Sequence, residues 1–276
     1  MSYATLMVHV DTDDADEASQ ARARLASALA DRFQAELIGI AARAPLPFAA
    51  EGVVIDPVPM QREIEDIAAR LERTADQFRA IAGKGGRQVE WRSALEFPTE
   101  FVAREACAAD LVIIGAGRAA REPYRALDAG SLILKAGRPV LVAPGDLAAL
   151  AAKRIAVAWK DAREARRALA DALPFLQLAD SIELLEVCEW GAEEQTLRRL
   201  KDVAGFLARH RITSVTERVL PGAGNAGEVL LRFVADEQAD LIVAGAYGHT
   251  RLGEWMFGGV TRDLITKSPV CCLLSH

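Results

Sequence analysis

An internal repeat constrains the fold of this chain more than any other feature. The segment ADLVIIGAG at residues 109–117 returns as ADLIVAGAYG at 239–248, 130 positions later. After each copy come a loop, a helical segment and a short apolar run, GRPVLVAP in the first copy and SPVCCLLSH in the second. A chain of 276 residues is long enough for two domains of ordinary size. The repeat therefore predicts two similar domains in tandem.

The two halves also begin alike. TLMVHVD (5–11) and RIAVAWKD (154–161) each precede an Ala- and Arg-rich segment of helical character. The segment PGDLAALAAK, at 144–153, separates the two halves. We expect a first domain over residues 1–147 and a second over 153–276.

Within each half, apolar segments typical of strands alternate with segments of helical periodicity. In the first half the predicted strands are 5–11, 36–42, 87–93, 110–115 and 138–143, and the predicted helices are 16–33, 61–82, 98–107 and 130–136. In the second half the predicted strands are 154–159, 181–187, 213–219, 240–245 and 269–274, and the predicted helices are 162–174, 192–210, 225–237 and 259–267. The apolar runs DLVIIGA and DLIVAGA are typical of parallel strands covered on both faces. We predict an α/β fold of two Rossmann-like domains, each a five-stranded parallel sheet with helices on both faces.

Composition and charge exclude several functional classes. The formal net charge of -6, with no block of Lys and Arg, argues against nucleic acid and acidic membranes as partners. The N-terminus lacks the features of a signal peptide, and no segment reaches the roughly 20 apolar residues that span a bilayer. Cys271 and Cys272 alternate faces in a predicted strand, so they are expected to be buried free thiols. We therefore expect a cytoplasmic protein.

A glycine-rich segment follows the repeated strand of the second half. Gly245, Gly248 and Gly258 have the spacing G-x2-G-x9-G just before a predicted helix. Glycine permits a ligand to approach the backbone closely, and a helix N-terminus offers free N–H groups. Glycines followed by the start of a helix therefore suit a polyphosphate. The alternative is a compact turn whose glycines only relieve crowding. The spacing alone leaves both interpretations open.

The tandem halves, the strand order that they imply and the G-x2-G-x9-G spacing resemble the universal stress protein family. This resemblance is strong over 239–274 and weak in the first half. It implies two domains of the adenine nucleotide alpha hydrolase-like type and a stress-response protein. It also implies that the second domain binds ATP, accompanied by Mg²⁺, as a regulatory ligand. The two halves would pair through their last strands as an intramolecular pseudo-dimer, and a further homodimer remains open.

The resemblance places the phosphate site in the second half. Its expected phosphate-binding residues are Gly245, Gly248, His249, Gly258, Gly259, Val260 and Thr261. Gly259 stands where nucleotide-binding members have Ser or Thr, so one hydroxyl ligand is lost. The backbone N–H groups from Gly259 to Thr261 can still serve, and the Thr261 hydroxyl is nearby. His249 either contacts a phosphate or lies in solvent.

The adenosine-binding positions that the resemblance implies are divided between the halves. In the second half Lys160 replaces the family's Asp at the end of the first strand, and Val187 matches the contact at the end of the second strand. Lys160 either reaches an anion or is solvated, and we favour solvation. In the first half Asp11 matches the family's Asp, but the glycine spacing is wrong. Neither half has a complete site, and the first is expected to be a degenerate structural copy.

No catalytic residue and no metal-binding motif such as HExxH or CxxC is found in the sequence, so any ATP hydrolysis would be slow and incidental. His9, inside the first strand, is expected to be a core side chain. Two alternatives stay open at this level. A nucleotide-independent interaction scaffold would explain Lys160 and the lost Ser or Thr. An enzyme on the same fold has less support, because motifs such as SGGxDS and HIGH are missing.

Overall fold

The computed structural model of the chain describes residues 2–12, 17–45, 57–83, 88–116, 125–145, 147–188, 190–222, 225–248 and 259–276. The first half contains the strands β1 (Thr5–His9), β2 (Glu36–Ala42), β3 (Val89–Ala94), β4 (Leu111–Gly115) and β5 (Val140–Ala143), and the helices α1 (Glu17–Phe33), α2 (Pro57–Ala82), α3 (Pro98–Glu105) and α4 (Ala129–Lys135). The second half contains the strands β6 (Arg154–Ala158), β7 (Ser181–Cys188), β8 (Val215–Pro221), β9 (Leu241–Gly245) and β10 (Cys271–Ser275), and the helices α5 (Arg163–Asp171), α6 (Leu173–Leu176), α7 (Glu193–Arg209), α8 (Ala226–Asp236) and α9 (Gly259–Lys267).

The strands form one continuous sheet in the order β3-β2-β1-β4-β5-β10-β9-β6-β7-β8. Within each half all neighbouring strands are parallel, and the halves join through antiparallel pairing of β5 with β10. This arrangement confirms the predicted α/β fold and the pairing of the last strands. The proposed domain bounds, 1–147 and 153–276, stay predictions.

Two apolar layers cover the sheet, one on each face. On one face, side chains of β1, β4, β6 and β9 pack against α1, α2, α5, α6 and α7. On the other face the alternate strand residues pack against α3, α4, α8 and α9. Cys271 belongs to the first layer and Cys272 to the second, and both thiols are buried and free. In the described part of the chain, no helix combines the length and the apolar character needed to cross a bilayer.

The repeated Ala-Asp dipeptide has the same structural role in both halves. Asp110, just before β4, accepts hydrogen bonds from Ala4 N and Thr5 N at the start of β1. Asp240, just before β9, accepts them from Lys153 N and Arg154 N at the start of β6. Each carboxylate therefore ties the first residues of two neighbouring parallel strands together, which explains this part of the sequence repeat.

Most element boundaries differ from the prediction by one or two residues, and three of the differences concern the argument below. β1 ends at His9 rather than at residue 11, and Asp11 N donates to Ser19 Oγ at 2.9 Å instead of to a neighbouring strand. The predicted helix 162–174 is two helices that meet at Ala172, because Pro174 has no N–H and cannot continue a helix. Helix α2 begins at Pro57, four residues before the predicted start.

Side chains as well as strands hold the halves together. Tyr3 and Phe33 of the first half form an edge-to-face cluster with Phe175 of the second, with ring centroids 5.0 to 5.6 Å apart. The Tyr3 hydroxyl also donates to Asp171 O at 2.6 Å. These contacts bury aromatic surface from both halves and fix the amino end of β1 against helices α5 and α6.

Candidate functional site

The glycine segment leaves the sheet where the strand order of the second half reverses. β6 and β9 are neighbours at this point, with β7 and β8 on one side and β10 on the other. Ligands of doubly wound folds bind at such a switch point, outside the carboxyl ends of the strands. The geometry of the segment therefore decides what kind of ligand this edge can take.

Gly245, the last residue of β9, packs against the backbone of helix α5. A Cβ at this position would lie 2.5 Å from Ala165 N and 2.6 Å from Glu164 C. Both are backbone atoms, so no side-chain rotation would relieve the overlap. Close packing between strand and helix is therefore enough to explain this glycine.

Gly248 faces a buried carboxylate. A Cβ at Gly248 would lie 2.9 Å from Glu164 Oε2, and Glu164 is only 7% exposed. Burial alone would raise the pKa of Glu164, but a hydrogen bond from its own backbone N–H and the charge of Arg163 outweigh burial, and the pKa is lowered. An ionised carboxylate thus lies beside the loop in which a phosphate is expected.

The N-terminus of helix α9 is held at the carboxyl end of β9. Tyr247 N donates to Thr261 Oγ1 at 3.3 Å, and Thr261 is buried, so this hydroxyl joins the loop to the first turn of the helix. Tyr247 has a left-handed backbone with φ of 61°, which marks a tight turn after the strand. Gly259 is exposed, with no atom of the described residues within 4 Å of an added Cβ, and Val260 is half-buried. The first N–H groups of a helix lack intrahelical partners, so this turn offers hydrogen-bond donors.

At the other side of the switch point, Lys160 is paired rather than only solvated. Its Nζ lies 3.4 Å from Glu186 Oε1, and its side chain is 56% exposed. Glu186 is only 1% exposed and also accepts from Arg199 at 3.0 Å. Val187, the expected contact on β7, is half-buried beside it. Lys160 and Arg199 therefore both pair with the buried carboxylate of Glu186.

Two of the predicted site residues, His249 and Gly258, lie outside the described residues. The other predicted residues are on the same edge of the sheet: Gly245, Gly248, Gly259, Val260 and Thr261 around the end of β9, and Lys160 and Val187 around the ends of β6 and β7. Glu164 and Glu186 were missed by the sequence analysis. Nothing in the sequence around these two glutamates indicated that their carboxylates are buried.

The equivalent edge of the first half is filled by an arginine. Arg22 of α1 is 3% exposed and donates to His9 O, to Asp11 Oδ2 at 2.6 Å and to Ser19 Oγ. A Cβ on Gly115, at the end of β4, would lie 2.1 Å from Arg22 Nη1. The guanidinium thus occupies the space between Asp11 and the end of β4, which supports the expectation of a degenerate copy.

His9 gives the first half a pH-dependent stability. Burial lowers its pKa from 6.5 to about 4, although the nearby Asp11 carboxylate acts in the opposite direction. The unfolded chain takes up a proton near pH 6.5 whereas the folded protein does not, so stability is full above this pH and falls as the pH decreases toward 4. We expect a loss of about 2 kcal/mol between pH 7.5 and pH 5 from this group, measured by urea denaturation. In His9→Gln that part of the slope should disappear, and an unchanged slope would contradict this origin.

The fold and this edge together define a two-domain α/β protein of the Rossmann-like class, with a glycine loop and a helix N-terminus at a topological switch point. A sequence model of the universal stress protein family matches residues 151–276. The second half of the chain thus matches the universal stress protein family. No curated protein sequence matches the chain.

Solved structures share the fold over both halves. A universal stress protein from Archaeoglobus fulgidus DSM 4304 is 15% identical, with a TM-score of 0.71 over 98% of this chain and 97% of that one. A functionally unknown protein from Pseudomonas aeruginosa PAO1 is also 15% identical, with a TM-score of 0.58 over 99% of this chain and 92% of the other. A universal stress protein in complex with cAMP is 20% identical over 52% of this chain and 99% of its own, but its TM-score of 0.37 is too low to carry an argument. The first two similarities concern the fold alone.

Proposed function

We propose that the second half binds an adenine nucleotide, ATP with Mg²⁺, as a regulatory ligand at the carboxyl ends of β6 and β9. The observation that carries the proposal is the hydrogen bond of 3.3 Å from Tyr247 N to Thr261 Oγ1. It holds the first turn of α9 beside the end of β9, and no atom of the described residues lies within 4 Å of a Cβ on Gly259. Backbone donors and a helix dipole at a switch point favour a phosphate group.

Backbone groups and side chains would hold different parts of the nucleotide. The backbone N–H groups of Gly259, Val260 and Thr261 are suited to phosphate oxygens, while Lys160 and Val187 lie where the adenosine is expected. Mg²⁺ is commonly held by one or two carboxylates together with substrate phosphates. Glu164 is the carboxylate beside Gly248, so it would repel free ATP and favour ATP that carries Mg²⁺. Glu164 therefore makes the proposed site dependent on the metal.

The proposal concerns nucleotide binding, and slow incidental ATP hydrolysis stays a prediction.

A nucleotide-independent interaction scaffold is the second candidate function. One observation favours it: Lys160 forms an ion pair with Glu186 where nucleotide-binding relatives are expected to have an acid for the adenosine. The cytoplasmic location and a further homodimer are likewise proposals.

Substitutions at Gly259 test the proposed phosphate contact without disturbing the described fold, because no atom of the described residues lies within 4 Å of a Cβ there. Gly259→Ser restores a hydroxyl and should tighten Mg-ATP binding by up to about tenfold, as expected for one hydrogen bond. Gly259→Asp should weaken binding at least about tenfold by charge repulsion, while an acid at a helix N-terminus leaves stability unchanged or raised. Isothermal titration calorimetry with Mg-ATP measures both effects.

A matched control is Gln61→Asp, which adds the same charge at an exposed residue near the start of α2, in the first half. Its affinity for Mg-ATP should stay within about twofold of wild type, because α2 covers the region of β2, five strands away from β9, and exposed charges beyond a Debye length are screened. Equal affinities for Gly259→Ser, Gly259→Asp and wild type would rule out phosphate binding at the start of α9. If neither wild type nor any of the variants binds Mg-ATP, the result would favour the nucleotide-independent interaction scaffold.

A further inference from the structure

A second cleft lies at the junction of the two halves, away from the glycine segment. It has a volume of about 210 Å³, and its lining residues come from the amino edge of the first half and from helices α5 and α6 of the second. The polar side chains of the cleft are Ser2, Tyr3, Asp110, Arg138, Arg167 and Asp171. None of these residues belongs to the proposed nucleotide site, so the cleft can be considered independently of that proposal.

Two arginines from different halves line this cleft. Arg167 of α5 donates to Gly137 O at 2.5 Å, and its Nε lies 3.7 Å from Asp171 Oδ2. Arg138, between α4 and β5, makes one hydrogen bond to the described residues, a long contact of 3.4 Å to Cys107 O. A guanidinium has five N–H donors, so both side chains retain donors for a further partner.

The two acids of the cleft are already engaged. Asp110 accepts hydrogen bonds from two backbone N–H groups at the start of β1. Asp171 accepts one from Ser275 Oγ at 2.8 Å. Burial raises the pKa of Asp171, and the nearby charges of both Arg167 and Arg138 act in the opposite direction. Both arginines line the cleft together with Asp171, and the unused hydrogen-bonding capacity of the cleft is that of cationic donors.

The remaining walls of the cleft are rigid. Tyr3 is fixed by its ring contacts with Phe33 and Phe175 and by its hydroxyl bond to Asp171 O. Pro174 contributes a further apolar surface. A cavity of about 150 Å³ accommodates benzene in an engineered protein core, so this cleft has room for a small organic molecule of about ten non-hydrogen atoms.

We propose that this cleft binds a small organic anion whose carboxylate or phosphate group pairs with Arg138 and Arg167. Planar guanidinium groups recognise both kinds of anion through paired N–H donors. Because one arginine comes from each half, the bound anion would also link the two halves across their junction.

Calorimetric titration with malonate and with inorganic phosphate, at constant ionic strength, tests this proposal. Wild type should bind at least one of the two probes, and Arg138→Gln should bind it at least about tenfold more weakly, as expected for the loss of a charged hydrogen bond. Arg138 is exposed and has only one long hydrogen bond among the described residues, so the variant should fold as wild type does by circular dichroism.

Arg24→Gln is the control, because Arg24 is an exposed arginine of α1 outside the cleft, and its affinity should equal that of wild type. Tighter binding of malonate would identify a carboxylate as the preferred group, and tighter binding of phosphate would identify a phosphate. No binding of either probe, or equal binding by wild type and Arg138→Gln, would overturn the proposal.

Discussion

Gly245→Ala should destabilise the protein by about 3 kcal/mol, because the added methyl group overlaps backbone rather than a movable side chain. The Cβ would lie within 3.0 Å of three atoms of α5, namely Glu164 C, Ala165 N and Ala165 Cα. Relief requires β9 and α5 to separate, which opens the apolar layer between them. Urea denaturation should show the loss, and the melting temperature should fall by roughly 6 to 12 °C.

Gly259→Ala is the matched control for this prediction. It adds the same methyl group to a glycine of the same segment, at the start of α9, where no atom of the described residues lies within 4 Å of the Cβ. We expect its stability to lie within about 1 kcal/mol of wild type, with any change in the stabilising direction. If Gly245→Ala were as stable as Gly259→Ala, packing against α5 would not be the reason for Gly245.

Arg22→Met should also cost about 3 kcal/mol, since the substitution keeps the length of the side chain but leaves its partners unpaired. Breaking a buried ion pair by removing one partner typically costs about 3–5 kcal/mol. The Asp11 side chain is 39% exposed and is partly solvated, so the lower end of that range applies. Urea denaturation of wild type and Arg22→Met measures the difference.

Arg24→Met, two residues further along α1, changes an exposed arginine in the same way and should alter stability by no more than about 0.5 kcal/mol. A double-mutant cycle with Asp11→Asn isolates the pair itself, with an expected coupling of about 1–3 kcal/mol. A coupling near zero would show that the ion pair with Asp11 does not stabilise the folded protein.

Most of the fold could be predicted from the pattern of apolar residues along short segments of the sequence. The runs DLVIIGA and DLIVAGA are apolar on both faces because helices cover both faces of the sheet, and their repetition predicted the tandem halves. Pro174 shows where this reasoning was incomplete. The helical pattern continues through 162–174, but the missing N–H of this proline ends α5 and begins a separate turn of helix.

The candidate site was less predictable, because its properties depend on contacts between distant elements. Gly245 and Gly259 both belong to the glycine-rich segment, yet a Cβ on Gly245 would overlap a helix backbone whereas a Cβ on Gly259 would meet no atom of the described residues. Arg22 lies in an Ala- and Arg-rich helix that looks solvated, and only the fold brings it between Asp11 and Gly115. Burial of Glu186 against Lys160 likewise depends on the pairing of β6 with β7.

The division of roles within the glycine segment has a consequence for nucleotide binding. If Gly245 is needed for packing, its presence says nothing about a ligand, and the backbone donors of α9 must carry the phosphate interaction alone. The site would then tolerate the loss of the family's Ser or Thr at residue 259, at reduced affinity. Glu164 would make this affinity depend on Mg²⁺.

Denaturing freshly purified protein and identifying the released small molecules by mass spectrometry tests the central claim most directly. If the second half binds an adenine nucleotide, then ATP, ADP or AMP should be released from wild type and be depleted in Gly259→Asp. Release of no adenine nucleotide, from a protein that also takes up no added Mg-ATP, would contradict nucleotide binding.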